Sequence, residues 1–219
     1  MDDSLLSRLK NKLNEQDAII GKDKYFNSAV LIPVIQINNE YHLLFEKRSL
    51  KIRQGGEVSF PGGEFDSKTD KNFQQTAVRE TEEELGISSS KIEVLGKLGT
   101  LLAPIGVSVD TYIAELKIQS LNELSIDTGE VERIFTIPIS YFIANIPSKY
   151  YVKLKAFPFE KKLDGEVIES FPAAKLKLPK RYSGPWEGGS HRILVYETKE
   201  ETIWGITAEL VFEFCKLLQ

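Results

Sequence analysis

Two periodicities run through the chain. Apolar runs and period-two alternation mark strands: AVLIPVIQI (29–37) and YHLLFEKR (41–48) read as a pair joined by a turn at Asn38, Asn39 and Glu40. Further strands are predicted over 92–102 and 107–118, the second alternating through VSVDTYIAEL, and extended segments over 150–160 and 191–197. VERIFTIPISYFIAN mixes a strand end with a short helix, and 119–129 reads as a loop. Helical spacing occurs three times. Leu5, Leu6, Leu9 and Leu13 predict a helix within an N-terminal extension (1–20), and Leu210, Val211, Phe214, Leu217 and Leu218 predict a closing helix from about Thr207. Between them lies NFQQTAVRETEEELG, where Asn72 caps the first turn, Gln75 completes a capping-box pattern and Gly86 stops the helix. Strands and helices interleave, so the predicted class is mixed α and β (α/β or α+β). With no internal repeat or low-complexity tract, a single domain over 1–219 is the simpler reading.

Composition narrows this. The 42% hydrophobic and 27% charged residues are those of a globular chain. No apolar run approaches the roughly 20 residues a membrane helix needs, and MDDSLLSRLK lacks the basic-then-apolar pattern of a secretory signal, so a cytoplasmic protein without membrane contact is expected. A net charge of −4 disfavours nucleic acid as a partner. The one cysteine, Cys215, excludes an internal disulfide, and with only two histidines beside it no structural zinc site can be built. Any metal here is expected to be oxygen-bound.

The chemistry is concentrated in Arg79-Glu80-Thr81-Glu82-Glu83-Glu84-Leu85-Gly86. At about 100° per residue, Glu80, Glu83 and Glu84 share one sector of the helix, Val78, Thr81 and Leu85 lie roughly opposite, and Glu82 points away from both. Like charges at these spacings weaken a helix by a few tenths of a kcal/mol per pair. A divalent cation reverses that sign, and carboxylates on a rigid helix suit Mg²⁺ or Mn²⁺. A solvated acidic face is the ordinary alternative. Upstream, Ser59-Phe60-Pro61-Gly62-Gly63 sets two glycines where the backbone can turn and bring a carbonyl to an ion. Arg79 can hold a neighbouring carboxylate through a forked pair of hydrogen bonds, against the alternative of a surface ion pair of little worth.

Gly63 followed by Arg79-Glu80-x-x-Glu83-Glu84-x-Gly86-Ile87 resembles the signature of the Nudix hydrolases, metal-dependent enzymes that cleave a nucleoside diphosphate linked to another moiety. Thr81 stands where the signature has a bulky aliphatic residue. Lys71 stands where it has an acid, with Asp70 the nearest substitute, and the gap from Gly63 to Arg79 is two residues longer than usual. Leu44-Phe45-Glu46-Lys47-Arg48-Ser49, Arg53, Gly56 and Phe60-Pro61-Gly62-Gly63 are similar to the extra motif of the coenzyme A diphosphatase branch, with the Arg53–Gly56 spacer one residue short; Thr202-Ile203-Trp204-Gly205-Ile206-Thr207-Ala208 resembles the end of that branch.

The resemblance implies an α/β/α sandwich with a mixed sheet and a catalytic loop–helix–loop (60–87). It implies Mg²⁺ or Mn²⁺ on Glu80, Glu83, Glu84 and the Gly63 carbonyl, and coenzyme A or acyl-CoA as substrate, cleaved to 3′,5′-ADP and 4′-phosphopantetheine. Arg79 belongs to the catalytic set. Glu130 lies where relatives often supply a further glutamate, a candidate general base beside those of the box itself. Arg48, Lys51, Arg53, Gly62 and Gly63 are the substrate-binding candidates. The charge pattern agrees, because Lys47, Arg48, Lys51 and Arg53 put four cations within 47–53, suited to a polyanion unless they form a merely solvated hairpin. The eight Lys and Arg of 153–181, against four acids, read as a surface strip. His42, His191, Trp186 and Trp204 read as structural before functional, Cys215 as a small buried hydrophobe, and Pro185-Trp186-Glu187-Gly188-Gly189 as a loop near the site entrance. Two alternatives stay open: a diphosphatase for ADP-ribose, a dinucleotide or a nucleotide sugar, and a non-catalytic ligand sensor of the same fold. A homodimer is implied only by analogy with the superfamily.

Overall fold

The first hairpin forms where the alternation places it: β1 (Phe26–Ile37) and β2 (Glu40–Arg48) pair antiparallel from Val34↔Leu43 to Ile37↔Glu40. Asn38 and Asn39 make the turn alone, at φ 48° and 67°, the left-handed backbone that a two-residue hairpin turn requires and asparagine tolerates; Glu40, expected in the turn, already opens β2. This computed structural model describes residues 19–219; the helix expected within 1–20 falls almost wholly outside them. The chain divides into two compact units, one ending at Pro138 and the other covering Ile139–Gln219.

Beyond Val34 and Leu43 the partners of the first hairpin part, and the glycine-rich segment enters the fork. β3 (Val58–Ser59) pairs with β2 at Glu46 and Lys47, while β4 (Gly62–Glu64) pairs with β1 at Ser28–Val30. Between them the Pro61 carbonyl accepts the Leu31 N–H at 2.9 Å. Helix α1 (Phe73–Leu85) starts on Asn72, whose side chain accepts the Gln75 N–H at 2.9 Å. The Gln75 side chain reaches back to the Lys71 N–H, one residue earlier than a capping box would have it. Gly86, at φ 60°, ends the helix.

β5 (Ile92–Ala103) and β6 (Val107–Leu116) form a long antiparallel pair, and β6 runs parallel to β1 from Phe26↔Val107 to Val34↔Glu115. The loop expected at 119–129 contains one 3₁₀ turn, Leu121–Glu123, capped by Ser120. β7 (Val131–Pro138) then pairs with β2 on the side away from β1. The result is a mixed seven-stranded sheet, β3-β2-β1-β6-β5 with β4 on β1 and β7 on β2. Helix α1 buries Ala77 and Leu85 against Ala29, Leu31, Leu44 and Tyr112 of the sheet. Phe45, pointing to the other face, stacks on Phe60 and Phe135 at centroid distances of 4.8 and 5.5 Å.

The second unit contains α2 (Ile139–Ala144), β8 (Ser148–Ala156), β9 (Phe159–Lys161), β10 (Val167–Glu169), β11 (Trp186–Glu197), β12 (Thr202–Trp204) and α3 (Gly205–Lys216). β12-β11-β8 form an antiparallel sheet, β9 and β10 a separate hairpin. Leu194 and Ile203 of the sheet are buried, as are Ala208 and Val211 of α3, and an Arg192–Glu209 ion pair links β11 to the helix. The segment 185–189 is a correction: Trp186 opens β11, and Gly188-Gly189 occupy a register shift between Glu187 and Ser190 instead of a loop. Cys215 is free and buried, as expected, and the cations of 153–181 are exposed. Among the described residues no helix is long and apolar enough to cross a membrane.

Candidate active site

Helix α1 presents its acidic sector to the two glycines that open β4. Glu84 is only 3% exposed, and its Oε2 accepts the Gly62 N–H at 2.8 Å. Glu80 lies against Gly63 so closely that a Cβ there would stand 2.3 Å from its Oε1, so any larger residue would displace the Glu80 carboxylate. Glu83 is exposed and turned along the helix. Thr81, in the signature's aliphatic place, is fully buried and returns its hydroxyl to the Ala77 carbonyl at 2.7 Å, which lets a polar side chain fill an apolar position.

Arg79 organises the group differently from the sequence expectation. Its fork grips Asp70, with Nε on Oδ1 and Nη2 on Oδ2 both at 3.0 Å, and the remaining Nη1 bridges Glu80 Oε1 at 2.8 Å and Glu83 Oε2 at 3.0 Å. Asp70 is buried and also accepts the Thr76 hydroxyl at 2.9 Å. These hydrogen bonds, Arg79's foremost, hold its carboxyl down at about 2. Burial pushes the Glu80 carboxyl upward against the pull of Arg79.

Glu46 went unrecognised in the sequence. Alternation along β2 sets Leu44, Glu46 and Arg48 on the face toward α1, and Glu46 is completely buried there. Its Oε1 accepts the Ser59 hydroxyl at 2.8 Å, and Arg48 Nη1 stands 3.8 Å from the same oxygen. Oε2 is buried with no hydrogen-bond partner among the described residues. The signal was an acid at an inward position of the otherwise apolar run HLLFE. Burial raises the carboxyls of both Glu46 and Glu84, and Glu46's charge raises Glu84 further. Glu130, exposed on the turn before β7, adds its charge to that on Glu46 and Glu80 and accepts the Ser49 N–H on its backbone carbonyl at 2.7 Å.

The structure thus gathers Gly62, Gly63, Glu80, Glu84 and Glu130 with the unforeseen Glu46. Arg48 is half-buried beside them, its Nε donating to the Arg53 carbonyl at 3.4 Å. The loop carrying Lys51 and Arg53 folds back on itself, Gly56 donating to the Arg48 carbonyl at 2.8 Å, and leaves both side chains in solvent. His42 lies on β2 four residues before Glu46, its Nε2 4.0 Å from the Glu40 carboxylate.

As the side chains stand, no three Asp, Glu, His or Cys among the described residues converge on an ion-holding centre, since Arg79 retains Glu80 and Glu83. The donor set nonetheless fits a hard divalent cation. Its donors are carboxylate oxygens, one of them buried with no hydrogen-bond partner among the described residues, and a cation relieves the repulsion between neighbouring buried acids.

The chain matches the NUDIX domain family over residues 26–141. It is 30% identical to an uncharacterized Nudix hydrolase, NudL, of Photorhabdus laumondii over 198 residues, covering 90% of this chain and 87% of that one. It is 29% identical to Nudix hydrolase 3 of Caenorhabditis elegans over 203 residues, 90% of this chain and 75% of that one. Among solved structures, the Caenorhabditis elegans Ap4A hydrolase in a binary complex aligns with a TM-score of 0.45 at 19% identity, over 53% of this chain and 83% of that one.

Proposed function

The chain belongs to the Nudix hydrolases, enzymes acting on phosphoanhydride bonds and generally dependent on divalent metal ions, and from that premise we propose that it hydrolyses the diphosphate of coenzyme A or acyl-CoA. The products would be 3′,5′-ADP and 4′-phosphopantetheine or its acyl derivative. The observation that carries the choice of substrate is the fold-back loop after β2, where Arg48 sits at the acidic pocket while Lys51 and Arg53 extend into solvent on the same loop. Coenzyme A has a diphosphate and a separate 3′-phosphate, and cations on such a loop can answer both while the acidic pocket takes the scissile group.

Glu80, Glu83, Glu84 and the Gly63 carbonyl are the groups that would hold Mg²⁺ or Mn²⁺. Such an ion, when bound, neutralises charge developing on phosphorus and acidifies water. Arg79 fixes the helix end of this set by tying Glu80 and Glu83 to Asp70. The Gly62 N–H orients Glu84. Glu130, exposed on the turn before β7, would be the group to accept a proton from attacking water.

ADP-ribose, dinucleotides and nucleotide sugars carry the same diphosphate and form the second reading, favoured by the freedom of Lys51 and Arg53 to leave the site unengaged. Turnover of a substrate panel with product identification separates them. Coenzyme A is expected to exceed ADP-ribose at least tenfold in kcat/KM. Arg53→Ala is expected to raise KM for coenzyme A about tenfold, the scale of one charge-assisted hydrogen bond, and to leave 3′-dephospho-coenzyme A unchanged. Glu83→Gln or Glu84→Gln should each lose at least a hundredfold in kcat with either metal; a variant that keeps near wild-type turnover refutes the metal assignment. Ligand binding without phosphorus–oxygen cleavage would identify a sensor.

A further inference from the structure

We propose that Glu46, on the sheet, is an additional ligand of the divalent cation through its Oε2, so that the metal site spans β2 as well as the acidic helix. The proposal rests on the metal-dependent reading above. Its starting point is an atom without an explanation: Glu46 is completely buried, Ser59 occupies Oε1, and Oε2 has no hydrogen-bond partner among the described residues. A buried carboxylate left half satisfied is strongly unfavourable, and replacing such a group with a neutral one commonly stabilises a fold.

The surroundings decide what Oε2 awaits. Arg48 stands 3.8 Å from Oε1, beyond hydrogen-bond reach, and Oε2 has no hydrogen-bond partner among the described residues. The remaining charged neighbours that act on Glu46 are Glu80 and Glu130, and Glu46 in turn acts on Glu84. Carboxylates grouped in a buried place need a proton or a cation to relieve them, and among the described residues no side chain hydrogen-bonds Oε2. The Ser59 hydroxyl on Oε1 does what a supporting hydrogen bond does for a metal-bound carboxylate: it fixes the orientation of the ligating oxygen. Because Ser59 and Glu46 are paired residues of β3 and β2, that orientation is set by the sheet and is independent of the helix.

Mn²⁺ binding to the full chain without substrate tests this, read from the loss of the free-ion electron paramagnetic resonance signal at pH 7.5. Glu46→Gln is expected to weaken the Mn²⁺ Kd about tenfold or more, while Glu132→Gln, an exposed residue of β7, stays within twofold of the wild type. A Glu46→Gln Kd within twofold of the wild type overturns the proposal. If Glu46→Gln fails to fold, Ser59→Ala decides: it keeps the carboxylate but frees its orientation, a several-fold weaker Kd supports the ligand role, and an unchanged one refutes it. A wild type that binds no Mn²⁺ refutes the metal-dependent reading itself, a result distinct from failure of Glu46 alone.

Discussion

Arg79 spends its donors on three carboxylates, and the division explains why one residue outside the acidic run matters as much as those within it. The fork belongs to Asp70, which the sequence offered only as the acid nearest Lys71; the turn that aims it, with the Asp70 N–H on the Asp66 carbonyl at 2.7 Å, has no periodic signature. Asp70→Asn should cost about 2 kcal/mol, the scale of hydrogen bonds to a charged group. It should also cut kcat at least tenfold, because Arg79 is then free to close on Glu80 and Glu83. A pH titration of stability gives a sharper readout. Asp70 titrates at about 2 in the folded chain against 3.8 ordinarily, so between these values the unfolded state binds more protons and stability rises with pH. The wild type should lose this contribution as pH falls from about 4 to 2, and Asp70→Asn should show no loss from this source; equal acid slopes in thermal melts would contradict the assignment.

Among the elements, the short ones escaped the sequence reading and most long ones did not; β11 is the long exception, because its glycine pair reads as a loop. β1, β2, β5, β6 and α1 carry enough turns or alternations to be read, and the caps of α1 agree with chemistry visible in Asn72 and Gly86. β3 and β4, of two and three residues, are defined by the fork between β1 and β2, which is a tertiary fact. Glu46 was missed because its inward direction follows from register, and a charged residue in a basic-looking segment was grouped with its neighbours. The glycine pairs show the same limit. Gly188-Gly189 signalled a turn and form a strand irregularity, while Gly62-Gly63 are a strand whose missing side chains make room for others.

That last pair allows a clean separation of fold from function. A Cβ at Gly62 would meet the Ala29 carbonyl oxygen at 2.3 Å and the Val30 Cα at 2.7 Å, both backbone, so Gly62→Ala should destabilise the chain by about 1–3 kcal/mol. At Gly63 the added methyl meets only the end of the Glu80 side chain. Gly63→Ala should therefore melt within a few degrees of the wild type yet lose most of its activity and metal affinity. Melting curves beside Mn²⁺ titrations check both, and a Gly63→Ala enzyme that keeps its activity would detach Glu80 from the site.

For the molecule as a whole, the acidic pocket makes stability depend jointly on pH and on divalent ions. Burial raises the carboxyls of Glu84, Glu46 and Glu80, so above the ordinary glutamate value of 4.5 the folded state holds protons that the unfolded state has released. Linkage then gives the sign: the metal-free chain loses stability as pH rises through the folded values, the opposite of the Asp70 contribution. A cation bound among these oxygens displaces the same protons, so it binds more weakly at low pH and opposes the loss at high pH. Mg²⁺ at about a hundred times its Kd stabilises by roughly 2.7 kcal/mol, or about 5–10 °C for a chain of this size. That rise should be present at pH 8 and much reduced at pH 5.5, where Glu46 and Glu84 hold their protons more firmly, and EDTA should reverse it. Melts at the two pH values with Mg²⁺ and with EDTA measure the effect, and a Mg²⁺ shift as large at pH 5.5 as at pH 8 would place the ion away from these buried acids.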